Sequence, residues 1–163
     1  MKFTVVKDVK NDSLMRPLLG GLLLFIFLFL TADIFLKNDH IGLTPSALSQ
    51  TLYGNEEAFV EPVSEHFLLE LIHSDIFFMM MTLLTLSAVY ARLCQNRKLR
   101  LININLTMIL ALLAIILLPL AYYLSPLFIM PWIVSFYAWH IMAVVMTLAS
   151  LFYLFVSQKS DLN

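Results

Sequence analysis

From Phe67 to Ala91 the chain reads FLLELIHSDIFFMMMTLLTLSAVYA, an apolar run interrupted in its first half by Glu70, His73 and Asp75. A helix needs about 20 residues to cross about 30 Å of hydrocarbon at 1.5 Å per residue, and this run exceeds that length. Three more segments share its character: about Pro17 to Leu36, Leu101 to Leu124, and Trp132 to Ser157. Hydrocarbon offers no water to unpaired backbone groups, so such runs are helices rather than open strands. The whole chain agrees: 163 residues, 61% apolar, 13% charged, mean hydropathy +0.87, outside the range of soluble domains. The expectation is an all-α integral membrane protein, a single four-span domain over residues 1–163. Its spans pack as an up-down four-helix bundle, and the long connection, residues 37–61, forms an outer loop.

Basic residues precede the first span, as in a secretory signal. The span is too long for a signal core, however, and Thr31 to Phe35 offers no small-x-small cleavage site, so it reads as a retained helix. Lys2, Lys7, Lys10 and Arg16 precede that span; Arg92, Arg97, Lys98 and Arg100 lie between the second and third; Lys159 follows the fourth. Only Lys37 falls on the other side. The positive-inside rule then makes both termini cytoplasmic and turns Asp39, Glu56, Glu57, Glu61 and Glu65 outward. The net charge of -1 therefore conceals a polarised molecule. Its basic side reads as a topology signal and headgroup contact, not as a nucleic-acid surface. The single cysteine, Cys94, excludes an intramolecular disulfide and a CxxCH haem attachment, and reads as a spare surface thiol.

Within the outer loop, Thr44-Pro45-Ser46 has helix-start chemistry and Gly54-Asn55 supplies a stop. Ala47, Leu48, Thr51 and Leu52 give this short helix an apolar face. It either docks a partner or covers the bundle, and cover is the favoured reading. Glu61-Pro62, with Glu65 one turn on, marks the start of the second span. Tyr122, Tyr123, Trp132, Tyr137 and Trp139 gather near the outer ends of the last two spans, where an interfacial aromatic belt is expected.

The ionisable residues hold the functional information. His73 lies 19 residues before Arg92, His140 lies 19 before Lys159, and Asp33 lies 17 after Arg16. These offsets correspond to roughly 25 to 29 Å of helix, so all three share one level near the outer edge of the hydrocarbon. His66, Glu70 and His73 are spaced i, i+4, i+7 and lie on one face, whereas Asp75 points nearly opposite His73 and needs a different partner. Ionisable groups inside spans are costly and usually face a bundle interior.

Three chemistries fit. Glu70 and His73, with His140 and Asp33, supply donors for a transition metal, Glu-x-x-His being the spacing of carboxylate metal sites in helical bundles. His73 and His140 at one depth match the axial pair of a non-covalent b-type haem; in this the chain resembles four-helix membrane cytochromes b, although its cytoplasmic halves lack the histidines of a second haem. The same groups suit a proton or cation relay. The ordinary alternative is that both histidines hydrogen-bond to headgroups or neighbouring helices. Met79-Met80-Met81 invites a Cu(I) site, but three consecutive methionines spread around the helix and suit lipid and gap-filling contacts. No GxSxG, HExxH or phosphate-loop motif occurs, which argues against a hydrolase or a nucleotide-driven pump.

The stretches TLYGNEEAFVEP, Thr51 to Pro62, and HSDIFFMMMTLLTLSAVYARL, His73 to Leu93, resemble a group of small, uncharacterised bacterial inner-membrane proteins. The resemblance implies bacterial origin and brings no activity. The expected protein is a four-span inner-membrane bundle with Glu70, His73, His140 and Asp33 as an outer-leaflet cluster. That cluster would bind a transition metal or one haem b; His66 and Asp75 stand beside it. The alternatives are an accessory subunit or assembly factor whose outer loop contacts a larger membrane complex, and proton or cation passage.

Overall fold

The computed structural model describes residues 13–156. Lys2, Lys7, Lys10, Ser157 and Lys159, which enter the topology and span readings above, lie outside the described residues. Six elements follow in order: α1 (Met15–His40), α2 (Pro45–Tyr53), α3 (Glu65–Leu93), α4 (Arg97–Tyr123), a 3-10 turn (Pro126–Phe128) and α5 (Ile129–Phe155). The four long helices are each apolar enough to cross a bilayer. The chain is thus an all-α multi-pass membrane protein whose outward side chains meet lipid. Arg16, Arg92 and Arg97 lie at one end of the bundle, called here the basic end; α2 lies at the other, the loop end.

Local chemistry sets the helix limits. The first span runs on past Leu36 to His40, with Lys37 and His40 in the last turn, where cations suit the negative end of the dipole. The Ile41 amide bonds the Lys37 carbonyl at 3.0 Å, and Gly42 at φ 75° reverses the chain. A Cβ at Gly42 would stand 2.5 Å from the Ala47 Cβ. Gly42→Ala therefore combines left-handed strain with a clash and should cost at least about 1–2 kcal/mol, read as a lower midpoint of thermal unfolding in detergent. Thr44 caps α2, its Oγ1 accepting from the Ala47 amide at 3.2 Å.

The third helix starts a turn later than Glu61-Pro62 suggests. The Val63 amide donates to the Thr51 carbonyl at 2.8 Å, tying this segment to α2 in extended form, and Ser64 becomes the cap. Asn96 caps α4 with Oδ1 accepting from Lys98 and Leu99 at 3.0 and 3.2 Å. Ser125 caps the 3-10 turn that hands the chain to α5.

The central helix is α5, which packs on α1, α3 and α4. Small residues permit this: Ala143 on α5 and Ala111 and Ala114 on α4 are buried, and the two helices share the longest interface. Toward the basic end the core holds Leu19, Leu23, Leu86, Leu93 and Leu154. Toward the loop end it holds Ile41, Leu68, Leu118, Trp132 and Phe136, joined by Leu48 and Leu52 of α2. The short helix therefore covers the bundle, and its Tyr53 hydroxyl donates to the Ala121 carbonyl.

Two expectations are corrected. Cys94 is no surface thiol: the turn after α3 tucks it under the bundle at 1% exposure, and Arg100 Nη1 donates to the Ala91 and Cys94 carbonyls at 3.1 and 3.3 Å. Trp132 and Trp139 are not interfacial either. Because α5 is surrounded on three sides, both indoles are enclosed, while Tyr123 and Tyr137 stay exposed. Asn103 Nδ2 donates to the Tyr90 hydroxyl at 2.8 Å, linking α4 to α3 in the manner usual for such residues.

Candidate functional site

Asp33 and Lys37 stand four residues apart on α1 and so share one face. Each reaches a different helix. Asp33 Oδ2 lies 3.0 Å from His140 Nε2 on α5. Lys37 Nζ donates to both carboxylate oxygens of Asp75 on α3, at 2.5 and 2.6 Å. The two pairs join α1 to its neighbours and differ in access: the Lys37 and His140 side chains are 3% and 2% exposed, their carboxylate partners 21% and 15%. The bases are sealed in, and the acids keep an edge toward the surroundings.

The protonation of His140 follows from its contacts. Nδ1 lies 2.9 Å from the Phe136 carbonyl, which can only accept, so Nδ1 carries a hydrogen. The Nε2 to Oδ2 contact then needs a second proton, carried either by the imidazole or by the Asp33 carboxyl. The pair thus holds one proton that can sit on either partner. Aromatic rings confine it: the Trp139 and Phe136 ring centroids lie 3.9 and 4.3 Å from that of His140. Trp139 Nε1 is buried beside it without a hydrogen-bond partner in the structure, which leaves a donor within the helix core.

Asp33, Lys37 and Asp75 also border one cavity, closed on its apolar side by Met79, Trp132 and Phe136. Its volume of about 10 Å³ is near the minimum for one water molecule, and its charged wall gives such a water several partners. The two ion pairs are therefore faces of one polar site at the loop end of the bundle.

Of the residues singled out by spacing, the structure brings Asp33 and His140 together and turns Asp75 inward beside them. Glu70, His73 and His66 remain on the exposed side of α3. Helical rotation is the reason: α3 buries Leu68, Met79, Leu83 and Leu86, Asp75 lies on that side, and His73, about 200° from Asp75, faces away. The four proposed metal donors do not converge, and among the described residues no group of three or more His, Cys, Asp or Glu side chains is placed to hold a metal ion. Of the two histidines weighed as haem ligands, His73 is exposed and His140 is engaged at both nitrogens.

Lys37 was the residue the spacing argument missed. Its signal was present: with Asp33 it forms an i, i+4 pair of opposite charge, visible once the first helix is continued past Leu36.

A family model described as a transmembrane helical domain matches residues 42–161, most of the chain, including Asp75 and His140 but not α1. No curated protein and no solved structure matches.

Proposed function

Because the chain belongs to the Aq_1264_TM transmembrane helical domain family, and because its bundle holds two acid–base pairs of which Asp33, Lys37 and Asp75 border one cavity, we infer that it is a proton-exchanging protein of the bacterial cytoplasmic membrane. The observation that carries this is the 3.0 Å contact of His140 Nε2 with Asp33 Oδ2, with Nδ1 engaged at the Phe136 carbonyl, inside a span where an ionisable group would otherwise be neutral or absent. Asp33 accepts or returns that proton, His140 stores it, and Asp75, neutralised by Lys37, is the neighbouring acceptor across the cavity. Helix α1 contributes one member of each pair, so a small rotation of α1 changes both contacts together.

Both termini are cytoplasmic in this proposal, and the loop end faces outward. Arg16, Arg92, Arg97, Lys98 and Arg100 at the basic end support it, as does the lack of any Lys or Arg between Asn38 and Ala91. A periplasmic reporter fused near Asn55 should be active and one near Gln95 silent. The reverse pattern would reject the orientation.

The function is tested with the purified chain in vesicles that contain a trapped pH dye, under a potassium diffusion potential. Proton entry should be faster than in protein-free vesicles of the same lipid. Equal rates at either sign of the potential would reject proton exchange.

A further inference from the structure

The segment between α2 and α3 is a tight hairpin-like loop. Asn55 and Val60 pair as an isolated antiparallel bridge, with N to O distances of 2.8 and 3.0 Å. Asn55 Oδ1 accepts from the Glu57 and Ala58 amides at 3.0 and 3.3 Å, and the Phe59 amide reaches the Glu56 carbonyl at 3.3 Å. The loop is held to the body at its base, through Val63 to Thr51 and through the Tyr122 hydroxyl to the Val63 carbonyl. Its tip is thus an ordered projection on the bundle.

At that tip stands Phe59. Its φ is 53°, the one left-handed non-glycine residue among those described, and the residue is 95% exposed. Each fact is costly alone. A left-handed position favours glycine, since a Cβ crowds the backbone there. A fully exposed phenyl ring gains nothing from the fold. A bulky aromatic at 95% exposure, where glycine would be easier, gains almost no burial within the molecule, which points to a surface outside it.

The surroundings decide what it meets. Glu56, Glu57 and Glu61 lie within three residues of Phe59 and are exposed, as is Asp39 at the same end of the bundle. Anionic headgroups repel such a tip, which disfavours insertion into the bilayer. A second copy in the same membrane orientation offers no cation to match at this end: the chain has no Lys or Arg from Asn38 to Ala91 or from Leu101 to Phe155, and Lys37 is enclosed against Asp75. We propose that Phe59 is the anchor of a docking site for a partner protein that presents an apolar pocket rimmed by Lys and Arg. The ring fills the pocket, and the three glutamates pair with the rim, which steers the encounter and fixes its register.

The test uses the full chain in its native membrane, with the photoreactive analogue p-benzoylphenylalanine at position 59. Irradiation should give one discrete adduct with another protein, attached at an apolar site flanked by basic residues. In a chain that also carries Glu56→Lys and Glu57→Lys, the adduct should fall at least about tenfold, as expected when rim charges are made repulsive. Phe59→Gly separates docking from folding. It relieves the left-handed strain, so the midpoint of thermal unfolding should stay or rise while co-isolation of the adduct partner is lost. Adducts with lipid alone, adducts with a second copy, the absence of any adduct, or an adduct indifferent to the charge reversals would each overturn the proposal.

Discussion

Replacing Lys37 with methionine is expected to destabilise the detergent-solubilised protein by about 3 kcal/mol, because it strands the Asp75 carboxylate between α1 and α3 without its counter-charge. Asp75→Asn should cost at least as much. It leaves an ammonium at 3% exposure facing a neutral amide, and a buried lysine has fewer ways to reach water than a carboxylate at 21%. The combined change, Lys37→Met with Asp75→Leu, removes both charges and fills the space with apolar atoms, so most of the loss should be recovered. Unfolding midpoints of the parent, Lys37→Met, Asp75→Leu and their combination in one detergent form a double-mutant cycle. Additive losses would mean that the two side chains do not act as a pair.

The size of that effect depends on where α1 sits. Its contacts run to α5 and α3 and hardly at all to α4, and most of its surface faces outward. Few apolar contacts hold it, so the two polar bridges carry an unusual share of its attachment. The same arrangement serves the proposed function: a helix held by two charge-dependent contacts is one whose position responds to a proton. A fully apolar α1 seam would be steadier and would have no such response.

Architecture was legible because it depends on sums over long segments. Each span holds enough apolar residues that an error of a few positions changes nothing, and the Thr44-Pro45 start of α2 rests on local cap chemistry. The site depends on rotation and on single residues, which sums do not resolve. Counting along the helices placed Asp33 and His140 at one depth, and they do meet. The same count put His73 with them, yet depth says nothing about facing, and the apolar residues around His73 are too evenly spread to reveal which side of α3 turns inward. Lys37 was hidden by its sign. A lone cation beyond an apolar run reads as a loop residue under the positive-inside rule, and only the partner it finds on α3 makes it a buried one. Cys94 and the two tryptophans misled for a related reason: composition marks residues that suit an interface, while burial depends on how many neighbours the helix has.

The largest effect on function is expected from Asp33→Asn. The amide has almost the shape of the carboxylate and can still hydrogen-bond His140 Nε2, so the α1–α5 bridge survives and stability should change by no more than about 1 kcal/mol. What it cannot do is take a proton. With Phe136 fixing the hydrogen on Nδ1, the imidazole loses its only exchange partner, and the stored proton has no route to the cavity. Proton entry in the vesicle assay should fall by about 10²-fold, the lower end of what a positioned acid–base group contributes. His140→Gln should do the same from the other side of the contact. The two changes together should be no worse than either alone, since both interrupt one transfer. Nitrogen-15 NMR of His140 in the parent and in Asp33→Asn supplies a readout that loss of packing would not imitate: the Nδ1 hydrogen toward Phe136 should be kept in both, while the Nε2 signal should shift when the carboxylate it faces is replaced. Unchanged proton entry in Asp33→Asn would remove the shared proton from any working role and leave the pair as a structural bridge.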